Sequence, residues 1–114
     1  MNKEEGYMEV RHMRELNNYV KEEIREIVYN FFVEECETER SEISDETNVI
    51  EDLDGDSLMF VELIDIIQRK YQLNIQLQSV GKYLLKKQAD TIGEVIKTAE
   101  LVFQYENDIV NMER

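Results

Sequence analysis

The sequence predicts an all-α fold: an antiparallel four-helix bundle, three helices long and one short, with a long loop between the first and second. Three observations lead there. Apolar residues recur at three- and four-residue steps in three separate stretches, as they do in helices that bury one face. The single stretch that alternates polar and apolar residues, 72–78, has no second one nearby to pair with. The 114 residues include no proline, so nothing forces a kink from within a helix.

The first helical pattern runs over about residues 13–36 through Leu16, Val20, Ile24, Ile27, Val28, Phe31 and Phe32, with Lys21, Glu22, Glu23 and Arg25 on the other side. Tyr29 and the two phenylalanines read as core anchors. Residues 37–56 form a long connection rich in Glu, Asp, Ser and Thr. A loop of that length in a small domain is functional or is pinned by its own apolar contacts. Ile43, Val49, Ile50 and Leu53 are the expected pins, with Ile43 and Leu53 dipping into the bundle. The second helix spans 57–71, with Phe60, Leu63, Ile64, Ile67 and Tyr71 on one face and Leu58, Glu62, Asp65 and Arg69 on the opposite one. Residues 72–78 read as an extended connection, and 79–89 as a short helix that packs Val80, Tyr83 and Leu84 inward. Asp90 or Thr91 caps a last helix whose apolar face is Ile92, Val95, Ile96, Ala99, Val102 and Phe103, with the pattern reaching toward Ile109 and Val110.

This length and a hydrophobic content of 42% suit one domain with a modest core. The expected domain is 1–114, with residues 1–12 and about 107–114 as less ordered ends. No apolar run is long enough to span a bilayer, and the first residues lack the layout of a signal peptide. Cys36 is the one cysteine, so no internal disulfide forms, which fits a reducing cytoplasm. The net charge of −13 argues against a nucleic-acid partner. That charge is uneven. Residues 1–56 hold eighteen acids and six bases, residues 57–114 eight acids and seven bases. No acid lies between Asp65 and Asp90, where Arg69, Lys70, Lys82, Lys86 and Lys87 form a basic edge.

The chemistry concentrates where the acidic loop meets the second helix, at Glu51-Asp52-Leu53-Asp54-Gly55-Asp56-Ser57-Leu58. Asp56 is a good helix cap. Ser57 then falls in the first turn, where unpaired N–H groups and the positive end of the helix dipole favour an anion. Leu58 is apolar yet off the core stripe, an outward leucine beside the serine. An isolated Asp-Ser-Leu is no more than a helix start; its flanks make this one specific.

Val49-Ile50-Glu51-Asp52-Leu53 ahead of the serine, Asp56-Ser57-Leu58 at it, Val61-Glu62-Leu63 behind it, Tyr71 closing the helix, and later Ile75 and Thr91-Ile92-Gly93-Glu94 together resemble the acyl carrier protein family over about residues 20–102. That resemblance implies a cofactor-tethered carrier with no catalytic residues of its own. Its cofactor would be 4′-phosphopantetheine, placed on the Ser57 hydroxyl by a phosphopantetheinyl transferase. The arm's terminal thiol would carry acyl groups as thioesters for acyl-loading and acyl-processing enzymes of one pathway: a specialised fatty acid, lipid or polyketide pathway. Asp56 and Leu58 would meet the modifying enzyme, and Glu62, with Asp65 and Arg69 on the same face, the enzymes that visit the cargo. Core residues Ile64, Ile67, Tyr83 and Ile96 could part to shelter a chain. The chain is further expected to act as a cytoplasmic monomer with no membrane span and no metal. Three departures point to a dedicated pathway. Gln68, Arg69 and Lys70 stand where family members carry acids, the segment between Ile75 and Ile92 is longer, and both ends are extended.

Three other readings compete. Gly55-Asp56-Ser57-Leu58 is also the signature of a serine hydrolase family, but that chemistry needs a histidine base, and His12 is the sole candidate. Asp52, Asp54 and Asp56 resemble a calcium loop, yet Ser57 and Leu63 stand where such a loop needs glycine and glutamate. The third alternative is a carrier-like helical interaction subunit that is never modified.

Overall fold

The computed structural model describes residues 15–76 and 90–106. They form three helices: α1 (Asn18–Glu35), α2 (Ser57–Tyr71) and α3 (Ile92–Tyr105), with a 3-10 turn at Arg40–Glu42 between the first two. Among the described residues there is no strand, only an isolated antiparallel bridge between Asn48 and Thr91. The all-α bundle expected from periodicity is therefore the observed class. The expected short fourth helix at 79–89, with Tyr83 and the lysines Lys82, Lys86 and Lys87, lies outside the described residues, as do His12, Ile109 and Val110.

The first helix starts later than its apolar pattern does. Asn17 caps it, its side-chain oxygen accepting from the Val20 N–H at 2.9 Å, so Leu16 packs against the core from ahead of the helix. A side-chain cap satisfies an N–H that the helix cannot, and the local chemistry of Asn17 outweighs the period. The helix ends where Glu37 turns left-handed (φ 49°) and the Thr38 N–H closes back on the Val33 carbonyl at 3.1 Å.

The core has one layer of side chains from each helix. Ile24, Val28, Phe31 and Phe32 of α1 meet Phe60, Leu63, Ile64 and Ile67 of α2 and Ile92, Val95, Ile96, Ala99, Val102 and Phe103 of α3, all buried. The α3 set is the face the spacing predicts, and so is the α2 set apart from Tyr71, which is only half-buried. Thr91, the residue on which α3 starts, forms a full capping box with Glu94. The Glu94 carboxylate accepts from the N–H groups of both Asp90 and Thr91, which hold it below the usual carboxylate range.

The long loop is pinned, as its apolar residues suggest, but by a different pair. Ile43 and Val49 are buried, whereas Ile50 and Leu53 are only partly covered. Leu53 rests against the core and does not enter it. Val49 enters because its backbone is fastened: its N–H donates to the Asp90 carbonyl at 2.9 Å, and the Ile92 N–H donates to the Thr47 carbonyl at 3.0 Å. These two bonds lay the loop alongside the start of α3. Asn48 then opens a single helical turn. Its side chain accepts from the N–H groups of Ile50 and Glu51, and its own N–H donates to the Asp52 carboxylate.

Candidate functional site

The residues that hold α2 in place explain where Ser57 stands. After the Asn48 turn, Asp54 adopts a left-handed conformation (φ 59°), which aspartate tolerates better than most side chains. Gly55 then passes close to Val49. Its N–H donates to the Val49 carbonyl at 2.9 Å, and a Cβ there would sit 2.9 Å from Val49 Cγ1. The chain needs a bare backbone at this contact. Asp56 follows in extended conformation and caps α2, its Oδ1 accepting from the Leu58 N–H at 3.0 Å and the Met59 N–H at 3.3 Å.

Ser57 is the first residue of α2 and is half-buried, between an exposed Asp56 and a Leu58 that is 68% exposed. Its position and access suit a tether: the backbone is held by the helix while the flanking residues face solvent. One detail differs from expectation. The N–H groups of Leu58 and Met59, expected to be unpaired, are occupied by the Asp56 carboxylate. The positive end of α2 is thus already served by an anion of the chain itself.

The outward stripe of α2 gathers the other candidate residues. Leu58, Glu62, Asp65 and Arg69 follow one another at helical steps. Glu62 is exposed, and the Arg69 side chain is 77% exposed. Asp65 is not a free acid. One of its oxygens receives the Arg69 guanidinium at 2.7 Å, and the other receives Gln68 Nε2 at 3.0 Å. Ile66, 42% exposed, flanks this stripe. The basic edge is likewise partly committed: Lys70 lies 3.8 Å from Glu23 of α1.

Two clusters that sequence reasoning missed bind the scaffold behind the site. Glu23, expected on the outer side of α1, accepts from Tyr71 Oη at 2.6 Å and from Tyr19 Oη at 3.1 Å. The Tyr71 hydrogen bond is the main reason the Glu23 carboxyl is held below its ordinary range. The Tyr71 ring in turn meets Phe103 of α3 edge-on at 4.9 Å. Asp45 of the loop accepts from Arg25 at 2.6 Å and from Tyr29 Oη, while its carbonyl receives the Gly93 N–H at 2.9 Å. Burial, and then the Asp45 carboxylate, push the Tyr29 phenol up to about 12. The signal that could have found this cluster was slight: Arg25 and Tyr29 stand one turn apart and share a face.

The competing readings fare differently. Among the described residues no group of His, Cys, Asp and Glu is placed to hold a metal ion. Asp52 and Asp56 explain why: each carboxylate is turned to backbone N–H groups, not to a shared centre. Cys36, the cap at the end of α1, is half-buried, and its thiol is pushed up by burial and then by Glu35, Asp54 and Asp56. A thiol kept protonated is a poor nucleophile. No helix among the described residues is long and apolar enough to cross a membrane.

Comparison with known proteins gives the class. A family model described as a phosphopantetheine attachment site matches residues 26–99, from the middle of α1 well into α3. An acyl carrier protein homolog of Clostridium acetobutylicum is 59% identical over 100 residues, which take in 88% of this chain and 97% of that protein. The chain belongs to the acyl carrier protein family. Its cofactor is accordingly a covalently attached 4′-phosphopantetheine, and it is a carrier, not an enzyme. Carriers of this kind work with the transferase that installs the arm and with acyl-processing enzymes.

Proposed function

We propose that Ser57 is the attachment residue and that the chain carries acyl intermediates for one specialised fatty acid, lipid or polyketide pathway in the cytoplasm, as a monomer. The observation that carries this reading is the placement of Ser57: first residue of α2, behind the Asp56 cap, half-buried between two exposed neighbours. The bound group supplies a terminal thiol on a flexible arm, which holds acyl groups as thioesters. The chain's own residues supply the rest. Asp56 fixes the helix start on which the hydroxyl sits, and Gly55 seats that start against Val49. Leu58 offers an apolar contact to the modifying enzyme, and Glu62 a negative one to the enzymes that visit the cargo. A dedicated set of partners is supported by the outer face of α2, where Asp65 is masked by Arg69 and Lys70 adds a further base.

Co-expression with a phosphopantetheinyl transferase, followed by intact mass measurement, tests the assignment. The native chain gains the mass of one arm and the Ser57→Ala chain gains none. A native chain of unchanged mass would instead favour an unmodified interaction subunit. Efficient use of the loaded chain by a general fatty acid synthase set, in place of a dedicated enzyme, would count against the specialised pathway.

A further inference from the structure

The outward stripe of α2 changes character along its length. At its start stand the exposed Asp54, Asp56 and Glu62, continuous with a half of the chain that holds eighteen acids and six bases. At its far end Arg69 pairs with Asp65 at 2.7 Å while its side chain stays 77% exposed. At the rise of an α-helix Asp56 lies about 20 Å from Arg69 and Glu62 about 10 Å from it, both beyond a Debye length of about 8 Å at physiological salt. A docking surface therefore feels them as separate charges. Lys70, the next base, is directed the other way, toward Glu23 of α1. Arg69 is then the group that meets a partner lying along the stripe.

We infer that Arg69 is a specificity-determining residue: by masking Asp65 it ends the acidic docking surface of α2 beyond Glu62. An enzyme whose cations reach only the first two turns keeps all its attraction. One with an extended basic surface finds a neutral ion pair at the far end, where its outermost cations gain nothing and face a guanidinium. The partner this surface fits carries cations opposite Asp56 and Glu62, and at the far end a carboxylate or carbonyl acceptor for the outward N–H donors of Arg69. Gln68 takes part by holding the second oxygen of Asp65, which keeps the carboxylate turned toward the guanidinium.

The inference rests on Ser57 being the loaded residue, and the test separates the two. The probe is a broad-specificity phosphopantetheinyl transferase with an extended basic docking surface, and the readout is kcat/KM for loading at low salt and at ~0.3 M salt. Arg69→Ala unmasks Asp65 and raises kcat/KM by about two- to fivefold at low salt, the size expected of one exposed charge pair. The gain falls in KM, with kcat unchanged, and disappears at high salt. Arg69→Ala combined with Asp65→Asn returns to the native value, because no acid is left to unmask. A rise that survives high salt, or a double variant as fast as the single one, would assign the effect to altered folding and overturn the inference. So would an Arg69→Ala rate at or below the native one. Loading of Ser57→Ala in the same assay would defeat the attachment reading instead, whatever the Arg69 series shows.

Discussion

The two ends of α2 are held in opposite ways. At the Tyr71 end, side chains do the fastening. Tyr71 donates to Glu23 of α1 and packs its ring against Phe103 of α3, so one residue joins all three helices. At the Ser57 end, backbone does it. Gly55 donates to the Val49 carbonyl, Val49 donates to the Asp90 carbonyl, and the side chains that help, those of Asn48, Asp52 and Asp56, all bond to backbone N–H groups. The first arrangement leaves its residues committed. The second places a helix start accurately while leaving the side chains of Ser57, Leu58 and Glu62 available. A site that several enzymes visit in turn needs both: a fixed position and uncommitted side chains.

The largest effect that would break this contrast is functional. Ser57→Ala should abolish attachment of the arm while leaving the thermal melt within about 2 °C of native, since the residue contributes nothing to the buried core. A large loss of stability would show that Ser57 is structural and that the two ends are not so different.

Next comes Val49→Ala. Val49 is fully buried, and removing its branch takes away transfer energy and leaves a void, about 2 kcal/mol together in urea unfolding. Loading should slow as well, because Gly55 loses the surface on which it is seated. Unchanged loading in the destabilised variant would mean that the Asp56 cap alone positions the serine.

At the other end, Tyr71→Phe keeps the ring against Phe103 and removes only the hydroxyl. The Tm should fall by about 5 °C, the equivalent of one ordinary hydrogen bond, with loading unchanged. This end also sets a pH dependence, shared with the Asp45 cluster. Hydrogen bonds from Tyr71 to Glu23, and from Tyr29 and Arg25 to Asp45, hold both carboxyls below their ordinary range in the folded protein. The stability they contribute is complete above the unfolded carboxyl values of about 4 and is lost as pH falls through the lowered folded ones. Tyr29 acts in the other direction. Its phenol is raised to about 12, so its contribution is complete below about pH 10 and is lost as pH rises from there to about 12. Thermal melts across pH should decline on both flanks, and Asp45→Asn should flatten the acid side.

How much of this was legible depended on whether a feature is periodic. The buried faces of α2 and α3 follow from spacing alone because burial recurs once per turn. The Asp56 cap was legible because a polar side chain before an apolar period has few other uses. Arg25, Glu23 and Asp45 were not. Each looks like an ordinary surface charge until the fold brings up a partner from 16 to 48 residues away, and no local pattern encodes that distance. Leu53 misled for the same reason: an apolar residue in a loop signals contact, but which residue goes deepest is decided by where the backbone is tied, here at Val49.

The smallest expected effect lies just past Tyr71, and it runs toward greater stability. Gln72 ends α2 in a left-handed conformation (φ 54°), with its N–H and that of Leu73 both donating to the Gln68 carbonyl and Leu73 buried behind them. That closure is the kind that glycine most often completes. A glutamine held there carries a Cβ against the backbone, at a cost of about 1–2 kcal/mol, whereas glycine enters the conformation freely and loses somewhat more entropy on folding. The relief exceeds the entropy loss, so Gln72→Gly should stabilise by ~0.5–1 kcal/mol in urea unfolding. The gain appears only if the left-handed turn is what stops α2 there. A destabilised Gln72→Gly variant would show that the end of α2 depends on side-chain contacts of Gln72. The Tyr71 end would then depend on side chains more than on its backbone closure, which would sharpen its contrast with the Ser57 end.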